Sequence, residues 1–263
     1  GVLRRAGHTE AAVDLSRLAG FEEAGVIVEI LNEDGTMARV PSLIEIAQKF
    51  DLKIVSIEDL IKYRVEHESL IEEQVSVHMP TEFGDFQLRA FKDTSNDQDH
   101  LVLTKGTWTK DEPVLVRVHS SCLTGDIFHS KKCECGKQLH SAMAYFEENG
   151  GILIYLRQEG RNIGIINKLK AYKLQEEGKD TVEANLELGL PADSRSFEDA
   201  LAILSDLKVK SVYLLTNNPE KVAVFDNSPI ILKGRIPIEI KASEESKKYL
   251  ETKKSFFKHF LDL

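Results

Sequence analysis

The feature that most limits how this chain can fold is a change of hydrophobic period partway along it. Four short segments rich in Val, Leu and Phe, at residues 75–79, 86–92, 101–105 and 113–119, are separated by polar turns and read as strands. They predict a small, mostly antiparallel sheet. From residue 137 onward the spacing becomes helical: Leu139, Met143 and Phe146 share one face of a helix over 137–148. A strand at 152–157, helices at 163–177 and 197–207, and a strand at 211–216 complete the pattern. Strands alternating with helices of this length pack as an α/β layer.

A shorter pattern precedes residue 75. Ala11, Leu15, Leu18 and Ala19 share a face of a helix over 9–19 that Gly20 ends. Strands are expected at 26–31 and 37–40, joined by a turn at 33–35 and closed by Pro41. A helix over 43–50 follows, then an extended stretch at 53–56 and a second helix starting at Ser56. The charged run 66–73 separates the two patterns, and the boundary is placed there, giving units 1–68 and 69–263. A length of 263 residues suits two units. The first residue is Gly1 rather than Met, which reads as a segment of a longer protein.

With 42% hydrophobic and 29% charged residues, the chain has an ordinary globular composition. Its apolar runs, such as Gly151–Leu156, are too short to span a bilayer and lack signal-peptide flanks. A soluble cytoplasmic protein with no membrane partner is expected. The net charge of −9 and the absence of a basic stripe interleaved with aromatics argue against nucleic acid. A small phosphorylated ligand remains compatible, because a cleft can be locally positive inside an acidic protein.

The three cysteines, Cys122, Cys133 and Cys135, are an odd number and are clustered, which fits reduced thiols better than a disulfide framework. Their Lys- and Gly-rich surroundings make them poor core residues. Three thiolates can hold a tetrahedral zinc and leave its fourth position for a water whose pKa the metal brings to near ~7. His119, His129 or His140 could instead complete a structural site. Spacing alone does not choose between the two.

Further along, residues 157–164 join a strand to a helix through two glycines, with Arg157, Arg161 and Lys168 nearby. Such a turn suits an anion at a helix N-terminus. Asp193 and Arg195 precede another helix, and residues 216–221 end a strand with hydroxyl, amide and cationic groups. Both resemble the strand-end loops where ligands collect in α/β folds. Taken singly, each is more often a helix cap or a turn, and Asp193 with Arg195 could form only an exposed ion pair.

In order, Arg117-Val-His-Ser-Ser-Cys-Leu-Thr-Gly-Asp126, Cys133-Glu-Cys-Gly-Lys-Gln138, Arg157-Gln-Glu-Gly-Arg-Asn-Ile-Gly164, Asp180-Thr-Val-Glu-Ala-Asn185 and Leu215-Thr-Asn-Asn-Pro219 resemble GTP cyclohydrolase II. The resemblance runs from about Val75 to the C-terminus. It implies an α/β (α+β) domain with a mixed sheet and flanking helices, acting as a homodimer. The implied reaction opens the guanine ring of GTP, releasing formate and pyrophosphate, at the first step of riboflavin synthesis. Cys122, Cys133 and Cys135 would carry Zn2+, and Mg2+ would accompany the triphosphate. Arg117, Val118, His119, Ser120, Ser121, Gln138, Glu159, Gly160, Arg161, Thr181, Thr216 and Lys221 would surround the nucleotide, with Tyr172 near the attacked carbon. Asp193 would be the proton acceptor, and Arg195 matches the position that the family assigns as nucleophile toward the α-phosphate. A guanidinium with a pKa above ~12 has no free lone pair at neutral pH, so Arg195 is expected to clamp developing charge. Ser121, His129 and residues 197–200 depart from the family's usual Glu, Gly and Gly-containing stretch.

Arg5-Ala-Gly-His-Thr-Glu10, Glu29 and residues 32–39 resemble the C-terminal part of 3,4-dihydroxy-2-butanone 4-phosphate synthase, an incomplete α/β domain over about 1–63. There Arg5, Ala6, Gly7, His8 and Thr9 would bind ribulose 5-phosphate, with His8 on Mg2+ and Glu29 acting on the substrate. One imidazole and one carboxylate do not complete a hard-cation site. This chain alone is therefore expected to lack synthase activity, its His8 and Glu29 a relic of a site that a bifunctional parent completes. Two other classes compete for the cysteine-bearing part. A zinc deaminase would show His-x-Glu and Cys-x-x-Cys, whereas this chain has Cys-x-Cys with no matching His-x-Glu before it, and a zinc-stapled GTP-binding scaffold would not need Asp193, Arg195 and Tyr172 together.

Overall fold

The computed structural model describes all residues except 4, 69–70, 95–97, 110, 227, 241–243 and 262–263. It divides into two units, Gly1–Leu70 and Ile71–Leu263. Among the described residues, no helix is long and apolar enough to cross a membrane.

Among its described residues, the first unit has three helices, α1 (His8–Leu18), α2 (Val40–Phe50) and α3 (Ile57–His67). Ser56 caps α3 by accepting the Asp59 N–H at 3.0 Å. An ionic network ties α1 to α3: buried Asp14 accepts Arg64 Nη1 at 2.9 Å, and Arg64 and Arg17 both hold Glu68. The expected strands at 26–31 and 37–40 are reduced to a single bridge between Leu31 and Met37. Val26 and Val28 are exposed, and Val40 already belongs to α2, whose first turn accommodates Pro41. A two-stranded ribbon with no third strand and no covered face is marginal. For the same reason residues 53–56 pair with no described strand.

The second unit is built on one seven-stranded mixed sheet of order β1-β2-β3-β5-β4-β6-β7. Its strands are β1 (Ile71–Thr81), β2 (Gly84–Asp93), β3 (Gln98–Lys105), β4 (Val114–Ser120), β5 (Gly151–Leu156), β6 (Ser211–Leu215) and β7 (Ile231–Ile236). The helices are α4 (Leu123–Asp126), α5 (Cys135–Asn149), α6 (Glu159–Asn162), α7 (Gly164–Glu176), α8 (Thr181–Glu187), α9 (Glu198–Asp206), α10 (Pro219–Ala223) and α11 (Lys247–Ser255). The antiparallel pairing expected among the first four strands is present in β1-β2-β3, but β4 does not join it directly and the strands belong to one larger mixed sheet. β5 inserts between β3 and β4, antiparallel to β3 and parallel to β4, and β6 and β7 continue in parallel. The charged run 66–73 is also not all linker, since its last residues open β1.

Alternation along β5 explains the layering. Ile152, Ile154 and Leu156 face a core shared with Ala200, Ile203 and Leu204 of α9, while Leu153 points the other way onto Ala142 and Phe146 of α5. Each such fully buried aliphatic side chain contributes about 1.5–3 kcal/mol. Because β4, β5 and β6 are parallel, their C-terminal ends lie side by side at one edge of the sheet. The loops that carry the cysteines, residues 157–164 and residues 216–218 all leave from that edge.

Candidate active site

Cys122 follows the end of β4 as the N-cap of α4, and Cys133 and Cys135 lie at the start of α5. Their three sulfurs lie within 4.8 Å of one another, with Cys122 and Cys133 Sγ 3.8 Å apart. Two thiolates each ~2.3 Å from a tetrahedral zinc would also sit about 3.8 Å apart. Two glycines make the convergence possible. A Cβ on Gly125 would lie 2.8 Å from Cys133 Sγ, and one on Gly136 would lie 2.2 Å from the Gly125 carbonyl oxygen. Among the described residues no histidine joins the group: His119 Nε2 sits 3.2 Å from Asp126, and the His129 and His140 rings face each other at 5.5 Å. The donor set therefore fits zinc with three protein thiolates and one position left over.

Asp126 stands behind the cluster. Its buried carboxylate accepts the Cys122 N–H at 2.9 Å and the Tyr155 hydroxyl at 2.8 Å, and it meets His119. Burial lowers the His119 pKa more than Asp126 raises it, so the ring is neutral. Its ring stacks on Tyr155 at 5.4 Å.

A cavity of about 100 Å³ opens in front of the sulfurs, lined by Ser120, Ser121, Gly160, Arg161, Tyr172, Thr181 and Arg195 among others. Lys168 Nζ lies 3.1 Å from Cys122 Sγ and 2.7 Å from Glu159 Oε1, while Glu159 Oε2 accepts the Leu123 N–H at 2.6 Å. Tyr172 Oη is 3.5 Å from Thr124 Oγ1, and burial pushes its pKa up to about 12. Gly160, Arg161 and Asn162 all take positive φ, which turns the chain sharply between β5 and α7.

A second cavity of about 70 Å³ adjoins the first and shares Ser120, Cys135, Arg161, Arg195 and Tyr249 with it. Its walls are cationic. Arg117 donates to the Leu215 carbonyl at 2.9 Å and to Gln138 Oε1 at 2.8 Å, its Nε has no partner among the described residues, and burial draws its pKa down to about 10. Lys221 Nζ donates to the Val118 carbonyl at 2.7 Å; burial, then Arg117, Arg195 and Lys253, push its pKa well down. Arg195 donates through Nε to both Asp193 oxygens, at 2.9 and 3.1 Å, and its Nη2 also meets that carboxylate. Burial works to lower the Arg195 pKa, but the Asp193 hydrogen bonds and charge outweigh it and raise the value. Phe197 lies under both Arg195 and Lys221, at 5.5 and 5.2 Å from the ring centre.

Most residues named from the sequence line these two cavities: Arg117, His119, Ser120, Ser121, the three cysteines, Gln138, Gly160, Arg161, Tyr172, Thr181, Arg195, Thr216 and Lys221. Val118, Glu159 and Asp193 stand one layer back, each holding a lining cation. Sequence reasoning missed Glu134 and the C-terminal residues Tyr249, Lys253, Phe257 and His259. The spacing of four between Tyr249, Lys253 and Phe257 was the available signal. In the first unit, Gly7 caps α1 and Thr9 lies within it. His8 Nε2 is 3.8 Å from Glu29 Oε1 with both side chains exposed, Arg5 pairs with Glu10, and Ala6 is exposed. These residues form no enclosed site.

Residues 72–237 match the GTP cyclohydrolase II family, and residues 1–63 match 3,4-dihydroxy-2-butanone 4-phosphate synthase. The chain is 56% identical over 260 residues to riboflavin biosynthesis protein RibBA of Cytophaga hutchinsonii, covering 98% of this chain and 64% of that protein. It is 55% identical over 264 residues to RibBA of Bacillus cereus, covering 100% of this chain and 66% of that protein. The chain thus spans about two thirds of the length of these curated relatives. A crystal structure of RibBX, a two-domain 3,4-dihydroxy-2-butanone 4-phosphate synthase from A. baumannii, shares its fold with a TM-score of 0.50 and 32% identity. That match covers 90% of this chain and 61% of the other. With the larger unit matched along most of its length, the chain belongs to the GTP cyclohydrolase II family.

Proposed function

We propose that the second unit hydrolyses GTP, opening its guanine ring and releasing formate and pyrophosphate. The supporting observation is the junction of two unlike cavities: one fronts three convergent thiols, and the other gathers arginines and lysines. A base and a polyphosphate on one ligand would meet those two chemistries in turn. Zinc in the thiolate set would supply a Lewis acid that makes water a nucleophile at neutral pH. Lys168, bridging Cys122 and Glu159, holds positive charge against the thiolates and fixes the loop that begins α4. Tyr172, kept protonated by burial, would donate a hydrogen bond close to the attacked carbon.

At the phosphate end Arg117, Arg161, Arg195 and Lys221 would bind the oxygens, with Ser120, Gln138, Thr181 and Thr216 adding neutral contacts. Arg195 is held protonated by Asp193, which supports a clamp on charge developing at the α-phosphate rather than attack by nitrogen. Mg2+ would arrive on the triphosphate, since Asp193 and Glu134 are already paired with cations. The protein would act in the cytoplasm as a homodimer, and the edge strand β1, with Val75 and Val77 exposed, offers surface for such an interface.

Incubation with GTP, followed by assay of formate and of diaminopyrimidine absorbance before and after zinc chelation, tests this reading. Zinc-dependent release of both products is expected. Turnover that survives complete loss of zinc, or GTP binding without turnover, overturns it. In the longer protein the first unit would belong to a synthase acting on ribulose 5-phosphate, as its family match over 1–63 supports. Dihydroxybutanone phosphate formed by this chain alone would overturn the expectation that its own residues leave that site incomplete.

A further inference from the structure

Helix α11 and the residues after it lie beyond the segment that matches the cyclohydrolase family, yet Tyr249, Lys253, Phe257 and His259 line the cationic cavity. The segment is docked by specific contacts. The Phe260 N–H donates to the Asn217 carbonyl at 2.9 Å, and the His259 N–H donates to the Lys253 carbonyl at 3.0 Å. The Arg161 guanidinium stacks over Phe257 at 4.1 Å. Lys253, whose side chain is 13% exposed, extends Nζ to Glu134 Oε1 at 2.5 Å.

The charge of this cavity is unbalanced. Arg117, Arg161, Arg195, Lys221 and Lys253 line it, whereas its carboxylates are Glu134 and, behind Arg195, Asp193. Lys221 faces the others while donating to a backbone carbonyl, that of Val118, rather than to a carboxylate. Placing a further buried ammonium among them is unfavourable unless more negative charge arrives. An ammonium has three N–H donors. Glu134 engages one, which leaves donors for phosphate oxygens.

We propose that residues 246–261 form a wall of the nucleotide site and that Lys253 is a polyphosphate-binding residue within it. The naming of the ligand as a nucleoside triphosphate rests on the GTP reading above, while the anion site rests on the cavity itself. A purely structural Lys253 would brace the cysteine loop through Glu134, which lies between two of the thiols. Binding measurements separate the two roles.

The test is calorimetric titration of tripolyphosphate, GTP and guanosine into the zinc-loaded full chain, in wild type, Lys253→Met, Lys253→Gln and Lys253→Arg. Thermal unfolding and zinc content are followed in parallel. Losing one charged contact should weaken tripolyphosphate and GTP about tenfold in the Met and Gln variants, with Arg restoring most of it. Guanosine affinity and zinc content should hold in Lys253→Gln and Lys253→Arg, while melting temperature should fall furthest in Lys253→Met, which leaves the buried Glu134 unpaired. Gln keeps a donor for Glu134, so it reports on charge even where Met fails to fold. Unchanged tripolyphosphate affinity in Lys253→Gln, or equal weakening of guanosine, overturns the proposal. Wild type that binds tripolyphosphate but not GTP overturns the GTP reading and leaves the anion site standing.

Discussion

Asp126 holds Cys122 by its backbone, with Oδ2 accepting the Cys122 N–H at 2.9 Å. The same oxygen takes the Tyr155 hydroxyl, so the carboxylate fixes the loop between β4 and α4 to the sheet. Asp126→Ala removes both hydrogen bonds and leaves His119 without its Asp126 partner. Support of this kind behind a metal ligand is worth roughly 10- to 100-fold in affinity. Zinc competition with a chromophoric chelator should show a loss of that size, and an unchanged zinc affinity would refute the positioning role.

Gly125→Ala should be more damaging than its single methyl suggests. The new Cβ would meet Cys133 Sγ at 2.8 Å, closer than such atoms approach, and Cys122 Sγ at a tight 3.1 Å. Because the neighbours are the thiols themselves, relief requires spreading the cluster. Zinc content after purification should fall well below one per chain while far-ultraviolet circular dichroism stays near wild type. Full zinc occupancy would show that the loops can rearrange.

Arg195→Lys keeps the charge and loses the planar fork that Asp193 grips through Nε and Nη2. As an electrostatic clamp on the α-phosphate, Arg195 should account for a drop in kcat of about 10²–10³-fold when replaced. Steady-state kinetics measure this directly. An acid-labile nucleotide adduct that forms on wild type and vanishes in Arg195→Lys would instead establish attack by nitrogen.

The parts legible in the sequence are those with short-range causes. Ser56 caps α3 as its hydroxyl predicts, and Leu139, Met143 and Phe146 lie on one side of α5 because helical periodicity is local. The cysteine loop was legible through residue chemistry. Strand order was not: nothing in the period of residues 151–156 says that β5 will lie between β3 and β4, since that choice is made by packing of α5 and α9 on opposite faces. The valines at 26–28 have strand propensity but no sheet to join. Helix α11 was missed because it has no apolar stripe; Leu250 is its buried aliphatic anchor, and Lys253 and Tyr249 are held by the charged cavity they line.

His259 gives the C-terminal segment a pH dependence whose sign follows from its surroundings. Burial, then the charges of Lys253, Arg195, Lys221 and Arg161, pull its pKa from 6.5 down to about 3. Above pH 6.5 the ring is neutral in both folded and unfolded chains, and stability does not change on its account. As pH falls below 6.5 the unfolded chain takes up a proton that the folded chain refuses until about pH 3, so stability drops across that window. His119 is shifted the same way, which is why the comparison must be with His259→Gln rather than with a flat line. Urea unfolding midpoints measured from pH 7 to pH 4 should fall more steeply for wild type than for His259→Gln, with the curves parallel above 6.5. Parallel curves throughout would mean that His259 is protonated in the folded protein and that the cationic wall around it is open to solvent.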